Sequence, residues 1–429
     1  MSEIISQYGF LLLALGCLFS FFMAWGVGAN DVANAMGTSV GARAITIKQA
    51  IVIAMIFEFA GAWLAGGEVT STIRSGIIDI ETAGFNERPE LLVYGMLSSL
   101  LAAAIWLVVA SKYGWPVSTT HSIIGAIIGF AMVGISVDSV VWSQVGSIVA
   151  SWVISPLFSG VIAFGLFMTV QRLVLGTDDP FANAKKYVPF YMFLVGFVIA
   201  MVTLVKGLKH VGLELDYAQS SILAVIFGLF TTTVGVFMLR RIKDDPTANA
   251  DDRFQSVERV FGVLMIFTAC SMAFAHGSND VANAIGPMSA IISVASEGAI
   301  GAKSAVSPWV LLIGGVGIVF GLAMLGGRVI KTVGSKITTL TPSLGFSAEM
   351  AAASTVVAAT YIGFPISTTH TLVGAVIGVG LAKGVSHLDL SSIGRIILSW
   401  VVTIPAGATL TVLFYVLLRF IETLMTVGV

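Results

Sequence analysis

The sequence predicts an all-α polytopic membrane protein built from two inverted-topology repeats. Its composition indicates a membrane protein, because 57% of the 429 residues are hydrophobic, 10% are charged and the mean hydropathy is +0.97. Two polar motifs each occur twice in this apolar sequence, at the same spacing of 249 residues. They are Gly-Ala-Asn-Asp-Val-Ala-Asn-Ala at 28–35 with Gly-Ser-Asn-Asp-Val-Ala-Asn-Ala at 277–284, and Trp-Pro-Val-Ser-Thr-Thr-His at 115–121 with Phe-Pro-Ile-Ser-Thr-Thr-His at 364–370. Duplicated polar motifs in apolar sequence indicate an internal repeat.

Hydropathy averaged over a window of about 19 residues identifies about twelve apolar segments. Their approximate spans are 9–27, 49–67, 91–111, 117–136, 145–170, 187–205, 219–239, 258–276, 305–326, 348–364, 366–383 and 393–420. Some of these segments are expected to be halves of re-entrant hairpins rather than full spans. Lys and Arg concentrate in the odd-numbered connections, so the positive-inside rule predicts that these connections are cytoplasmic and that both termini lie outside.

The positions of the motifs predict the orientation of the repeats. One motif lies in the first and eighth segments, and the other lies in the fourth and eleventh. Equivalent segments are seven spans apart, and an odd separation reverses the direction in which a repeat crosses the membrane. The sequence therefore predicts a first inverted repeat at 1–170, an interpolated transmembrane pair with a cytoplasmic loop at 171–254, and a second inverted repeat at 255–429.

The first apolar run does not end at its motif but continues from about residue 10 to residue 42. As one helix it would be about 50 Å long at ~1.5 Å per residue, against a hydrocarbon core of about 30 Å. We therefore expect this helix to break at Gly26, Gly28 and Asn30. We expect its counterpart to break at Gly277, Asn279, Gly286 and Pro287. Unwound backbone at this depth is tolerated only where protein or a water-filled cavity satisfies it, so a break predicts a binding site.

The first motif supplies amide and carboxylate oxygens within the membrane. Its polar residues are Asn30, Asp31, Asn34, Asn279, Asp280 and Asn283. Together with freed backbone carbonyls, these oxygens suit a small alkali cation better than a soft transition metal. Two further acids lie in apolar segments: Glu58 deep in the second, and Glu349 near the start of the tenth, where its position suits contact with water. The alternative is that the Asn and Asp residues only cap broken helices.

The second motif places hydroxyl groups directly after a proline, at the start of an apolar segment. Its polar residues are Ser118, Thr119, Thr120, His121, Ser367, Thr368, Thr369 and His370. At a helix N-terminus, hydroxyls, free N–H groups and the positive end of the helix dipole can receive an anion. Neither motif contains Lys or Arg, so co-bound cations would have to offset the charge of the nearby acids. Simple helix caps and hydrogen-bonded structural histidines are the alternatives.

These motifs resemble those of the inorganic phosphate transporters of the PiT type. The doubled Gly-(Ala/Ser)-Asn-Asp-x-(Ala/Gly)-Asn-(Ala/Ser) pattern matches 28–35 and 277–284, and Pro-x-Ser-x-Thr-His is similar to 116–121 and 365–370. The resemblance implies secondary transport of phosphate, coupled to sodium in some members and to protons in others, with metal-phosphate complexes or sulfate carried in some bacterial branches. It also implies a homodimer, which is usual for related transporters.

We therefore predict a phosphate importer of the cell inner (plasma) membrane that is driven by sodium and is not an enzyme. The predicted sodium ligands are Asn30, Asp31, Asn279, Asp280 and Glu58. The predicted phosphate ligands are Asn34, Asn283, Ser118, Thr119, Thr120, His121, Ser367, Thr368, Thr369 and His370. Sodium is the co-transported ion, and no cofactor is expected. A net charge of −1 offers no basic field for nucleic acid.

Three other functions use parts of the same pattern. A proton-coupled carrier would load a proton on His121, His370 or Glu58. An inverted-repeat cation exchanger would use the Asn and Asp residues for ions alone, although hydroxyl groups at two helix starts favour an anion. An intramembrane hydrolase would need a nucleophile from the Ser-Thr-Thr-His run, yet two near-identical copies are superfluous for one active centre.

Overall fold

A computed structural model describes residues 3–79, 85, 88–205, 215–243, 250–297, 306–327, 330, 340–384 and 388–427. The regular structure of these residues is helical, with one antiparallel bridge between Ile78 and Val140. The α-helices are α1 (Glu3–Gly41), α2 (Ile47–Ala65), α3 (Gly67–Ser75), α4 (Glu90–Lys112), α5 (Thr119–Gly134), α6 (Trp142–Val170), α7 (Pro180–Val205), α8 (Tyr217–Leu239), α9 (Ala250–Asp280), α10 (Ala282–Glu297), α11 (Pro308–Gly321), α12 (Pro342–Tyr361), α13 (Thr368–Lys383) and α14 (Leu390–Val427). Each apolar segment predicted from hydropathy coincides with one of these helices.

Within the described ranges, nine helical stretches are long and apolar enough to cross a membrane, rather than the predicted twelve. The difference concerns α5, α12 and α13. Helices α5 and α13 have 16 residues each, about 24 Å at ~1.5 Å per residue, and fall short of a hydrocarbon core of about 30 Å. Helix α12 has 20 residues, but Ser, Thr and Glu side chains lower its hydropathy. The chain is therefore a multi-pass helical membrane protein that also contains short buried helices.

Each short helix follows a longer one through a tight turn, α4 into α5 and α12 into α13. The turns contain Gly114 at φ 66° and Gly363 at φ 72°, which are equivalent positions at the spacing of 249 residues. A side chain would be strained in this left-handed conformation, so glycine permits the chain to reverse at both places. Each hairpin therefore holds its copy of the second motif at the turn and at the start of its short helix.

The predicted break in the first helix is wrong. Helix α1 runs without interruption through Gly28 and Asn30 for 39 residues, about 58 Å at ~1.5 Å per residue. In the second half, only Val281 separates α9 from α10, and its N–H still bonds to the carbonyl of Gly277 at 3.4 Å. A tilted or protruding helix accommodates the extra length. The backbone of the first motif copy therefore stays helical, and its ligands come from side chains. The second copy is interrupted at Val281, while Gly286 and Pro287 lie inside α10.

The glycines at the predicted break serve close helix packing instead. A Cβ atom at Gly28 would overlap the carbonyl oxygen of Ile318 in α11, and one at Gly277 would overlap the carbonyl oxygen of Glu58 in α2. The absent side chain thus lets α1 approach α11, and α9 approach α2, at backbone distance. The two contacts are equivalent, and each joins one half of the sequence to the other.

The two halves of the sequence are interleaved in space. Helix α5 packs against α14, α13 packs against α6, and α1 packs against α11, while α9 packs against α2. Both clusters of buried apolar side chains also draw residues from the two halves. Neither half therefore completes its own core, and the polar motifs meet in the interior between them.

Candidate functional site

The Ser-Thr-Thr-His runs begin helices, as predicted. The hydroxyl of Ser118 accepts a hydrogen bond from the His121 N–H at 3.2 Å and caps α5. The hydroxyl of Ser367 caps α13 in the same way, accepting from the His370 N–H at 3.2 Å. Both N-termini are buried. A serine cap leaves the other N–H groups of the first turn, and the positive end of the helix dipole, facing the interior.

Asn30 and Asn279 hold the two hairpin turns. The Asn30 amide nitrogen donates to the hydroxyl of Ser111 at 3.0 Å and to the carbonyl of Trp115 at 3.1 Å. Asn279 makes the equivalent bonds in the second half, with the hydroxyl of Thr360 at 3.0 Å and the carbonyl of Phe364 at 3.2 Å as its acceptors. Both amide oxygens are buried and have no hydrogen-bond partner among the described residues. Each side chain thus fixes a turn with its nitrogen and presents an oxygen for a ligand.

The two aspartates of the first motif accept bonds from the helix starts of the second motif. Thr119 donates to the Asp31 carboxylate at 2.7 Å, and Thr368 donates to the Asp280 carboxylate at 2.8 Å. These contacts are again equivalent at the spacing of 249 residues. The second carboxylate oxygen of Asp31 is buried without a partner in the described structure. A buried carboxylate with an unused oxygen is a candidate ligand for a cation.

Asn34 and Asn283 join the two halves. The Asn34 amide donates to Thr369 at 2.7 Å, which lies on the hairpin of the opposite half. The Asn283 amide donates to Thr119 at 3.2 Å and to Thr120 at 3.3 Å. All six polar residues of the duplicated first motif therefore lie close to the N-termini of α5 and α13. The structure brings these predicted cation and anion ligands into one buried cluster.

His276 belongs to this cluster, and the sequence motif did not identify it. Its Nε2 atom lies 3.1 Å from Asp280 Oδ2 and 3.9 Å from Asp31 Oδ2, while its Nδ1 atom lies 3.2 Å from Glu58 Oε1. All four side chains are buried. His276 directly precedes the second motif copy, and the equivalent residue in the first half is Val27. This difference between the two copies is the sequence signal that could have identified His276.

Glu58 therefore joins the cluster by its contact with the imidazole ring of His276. The ring of His276 lies between Glu58 on one side and Asp280 on the other. Asp31, His276 and Asp280 each offer a ligand atom, and these atoms all lie within 4.8 Å of one another. Three buried carboxylates around one imidazole form a negative site that favours a cation.

Glu349 does not face water, contrary to the expectation from its position near a segment end. It lies inside α12 and is fully buried. Its carboxylate accepts bonds from the hydroxyls of Thr38 at 2.5 Å, Ser39 at 2.6 Å and Thr268 at 2.7 Å. The helix begins at Pro342, upstream of the apolar window, which is why hydropathy misplaced the glutamate. It is a further buried acid, outside the His276 cluster, and is held by hydroxyls of α1 and α9.

The rings of His121 and His370 pack against tryptophan rings. The ring centroids are 3.6 Å apart for His121 and Trp152, 4.4 Å for His121 and His370, and 3.5 Å for His370 and Trp400. His370 Nδ1 also lies 3.2 Å from the Trp152 carbonyl oxygen. The two imidazole rings thus contact α6, α14 and each other. A direct role of these rings in binding phosphate stays a prediction.

The fold and the site define a multi-pass membrane transporter whose buried centre joins acids and amides to two helix N-termini. The polar groups of this centre come from both halves of the sequence. The chain belongs to the phosphate transporter family, which it matches over residues 27–411. This membership confirms the prediction of a PiT-type transporter rather than an enzyme.

Relatives extend over nearly the whole chain. A Haemophilus influenzae protein named as a phosphate permease is 52% identical over 420 residues, covering 98% of this chain and 99% of the relative. The chloroplastic inorganic phosphate transporter 2-1 of Arabidopsis thaliana is 42% identical over 415 residues, covering 92% of this chain and 70% of the relative. A solved structure of the sodium-dependent phosphate transporter is 40% identical, with a TM-score of 0.88, and the match covers 96% of this chain and 100% of that chain.

Proposed function

We propose that this protein imports inorganic phosphate and couples its movement to sodium. The observation that carries the proposal is a set of buried oxygens without hydrogen-bond partners in the described structure: Asn30 Oδ1, Asn279 Oδ1 and Asp31 Oδ1. These oxygens belong to the residues that contact the N-termini of α5 and α13. This arrangement supports a site in which cation ligands adjoin anion donors.

Asn30, Asp31, Asn279 and Asp280 are the proposed sodium ligands. Amide and carboxylate oxygens are hard ligands that suit an alkali cation. The amide nitrogens are already engaged with the hairpin turns, so the oxygens keep a fixed orientation. We assign Glu58 a supporting role, because its contact with the cluster runs through His276.

The hydroxyls of Thr119, Thr120, Thr368 and Thr369 are the proposed phosphate donors. Thr119 and Thr368 now donate to Asp31 and Asp280. Once sodium offsets the charge of these carboxylates, the hydroxyls can turn to a phosphate oxygen. The serine-capped helix starts add backbone N–H groups and the positive dipole end. Asn34 and Asn283 complete the set, and phosphate would bind only weakly without the cations because two aspartates lie beside it.

The inverted-repeat architecture is part of the proposal. It is supported by contacts that recur at a spacing of 249 residues, such as Asn30 to Trp115 and Asn279 to Phe364. Repeats of opposite orientation at 1–170 and 255–429 would present this one central site to either side of the membrane in turn. We further propose an inner-membrane location with both termini outside. The homodimer implied by related transporters stays a prediction.

Proton coupling is the second candidate, because His276 lies between carboxylates on both sides of its ring. Uptake of labelled phosphate into proteoliposomes separates the two, with sodium and proton gradients imposed one at a time. We expect uptake with the sodium gradient at equal pH on both sides, and little competition from sulfate. Uptake that follows only the proton gradient would show that protons, and not sodium, drive transport. Absence of phosphate uptake under both gradients would overturn the proposed function.

A further inference from the structure

We propose that Asp31, His276 and Asp280 bind a divalent transition-metal ion, which competes with sodium for the two aspartates. The competition rests on the proposed function, whereas the metal site rests on the geometry of the cluster alone. Zn²⁺, Co²⁺ and Mn²⁺ are the ions that a mixed set of imidazole and carboxylate ligands fits.

The ligand atoms already have nearly the spacing that such an ion needs. With bonds of about 2.0 Å, tetrahedral ligand atoms lie about 3.3 Å apart. His276 Nε2 is 3.1 Å from Asp280 Oδ2 and 3.9 Å from Asp31 Oδ2. The ligand atoms of the two aspartates also lie within 4.8 Å of each other, so a bound ion would draw the Asp31 carboxylate inward. The other oxygen of Asp31 is buried without a partner among the described residues. His276 and Asp280 lie four residues apart in α9, so both point from one face of the helix.

The surroundings of the three ligands match those of metal-binding histidines. Glu58 lies 3.2 Å from the Nδ1 atom of His276, the nitrogen that faces away from the aspartates. The two atoms are within reach but are not aligned as a hydrogen bond here. Once aligned, a carboxylate in this position would favour the Nδ1–H tautomer and leave the lone pair of Nε2 for the metal. Thr119 and Thr368 hold the two aspartates by hydrogen bonds of 2.7 and 2.8 Å. The inner ligands are thus oriented before an ion arrives.

The repeat explains neither the imidazole of the cluster nor the glutamate beside it. Asn30, Asp31 and Asn34 have identical counterparts in the second half, but the counterpart of His276 is Val27. The equivalent packing contacts at Gly28 and Gly277 likewise set Ile318 in the place of Glu58. A sodium site needs oxygen ligands only, whereas a nitrogen ligand supported by a glutamate is what zinc-like ions prefer.

The test is a titration of the full-length protein in detergent with Co²⁺, in chelator-treated buffer with choline as the only monovalent cation. The intensity of its visible absorption shows whether bound Co²⁺ has a low coordination number, and the His276 variants test the imidazole ligand. We expect one equivalent to bind, and its apparent dissociation constant to rise with added sodium. Glu58→Gln should weaken binding roughly 10- to 100-fold, the usual effect of losing an outer partner, and His276→Gln should weaken it further.

His276→Val serves as a second variant if His276→Gln does not fold, because valine occupies the equivalent position of the first half. Glu349→Gln is the matched control, since it alters a buried glutamate held by hydroxyls outside the cluster and should bind Co²⁺ like the wild type. Equal Co²⁺ affinity of wild type and His276 variants would overturn the metal site. An affinity unchanged by sodium would overturn the competition. Sodium-driven phosphate uptake in excess EDTA, measured on the same preparation, tests the proposed function separately.

Discussion

At the residue scale, different atoms of the same polar side chain have different roles in the site. The nitrogen of Asn30 fixes a hairpin turn, and its oxygen remains for a ligand. The sequence predicted which residues of the two motifs would meet, because duplicated polar residues in apolar sequence have few structural reasons to exist. It could not predict these partners or include His276, because hydrogen-bond geometry and a contact with Glu58 depend on helix packing across the two halves.

Asp31→Asn and Asp280→Asn should each abolish sodium-dependent phosphate uptake while leaving a folded protein. The amide keeps the size of the side chain and can still accept from Thr119 or Thr368, but it removes the negative charge that binds the cation. Uptake into proteoliposomes and size-exclusion profiles measure the two properties. Asp138→Asn, at an exposed aspartate, is the matched control and should transport normally. Wild-type sodium dependence in either site variant would remove that aspartate from the cation site.

Thr119→Val and Thr368→Val should weaken phosphate binding more than sodium binding. Valine has nearly the same shape but lacks the hydroxyl, and a hydrogen bond to a charged partner contributes about 1.5–3 kcal/mol, or roughly 10- to 150-fold in affinity. Calorimetry at saturating sodium measures the change. Thr233→Val, on an exposed part of α8, removes a hydroxyl that bonds only to its own helix and should have no effect. If phosphate affinity is unaltered in both variants, these threonines are helix caps.

At the element scale, the sequence predicted the helices but wrongly predicted a break in α1, which carries the first motif copy. All apolar segments became helices, and both Ser-Thr-Thr-His runs became capped helix starts. The predicted break in α1 failed because helix length was compared with bilayer thickness, although a helix can tilt or protrude. Glycines that permit unwinding and glycines that permit close packing look alike in a sequence. Only the neighbouring backbone, here that of Ile318, distinguishes the two uses.

Gly28→Ala and Gly277→Ala should therefore destabilise the protein. Each added methyl group would overlap a backbone carbonyl of the neighbouring helix, which cannot move aside as a flexible side chain can. Overpacking of this kind costs about 1–3 kcal/mol or more. The melting temperature in detergent is the measurement. Gly262→Ala provides the control, because this position in α9 has open space around it and the change should be neutral or stabilise by up to about 1 kcal/mol. Equal melting temperatures for all three variants would contradict the packing role.

At the scale of the whole molecule, the two halves of the sequence pack between each other, so both contribute side chains to the site. Asn34 of the first half contacts Thr369 of the second, and Asn283 of the second contacts Thr120 of the first. The rings of His121 and His370 add another direct contact between halves. Ligands that bind here bridge groups from both halves, so the binding of one ligand is expected to alter the affinity for the other. The repeat spacing predicted two related halves, but their interleaved packing could not be read from it.

Reciprocal binding of sodium and phosphate tests the shared site most directly. If cations lie between the aspartates and the anion, sodium must raise the affinity for phosphate, and phosphate must raise the affinity for sodium by the same factor. For a coupling of about 1–3 kcal/mol this factor is roughly 5- to 150-fold, which calorimetry in detergent resolves. At fixed pH we expect tight phosphate binding in sodium and its loss in choline. Phosphate binding that persists in choline and disappears as the pH is raised would contradict sodium coupling and leave a proton-coupled carrier on the same fold.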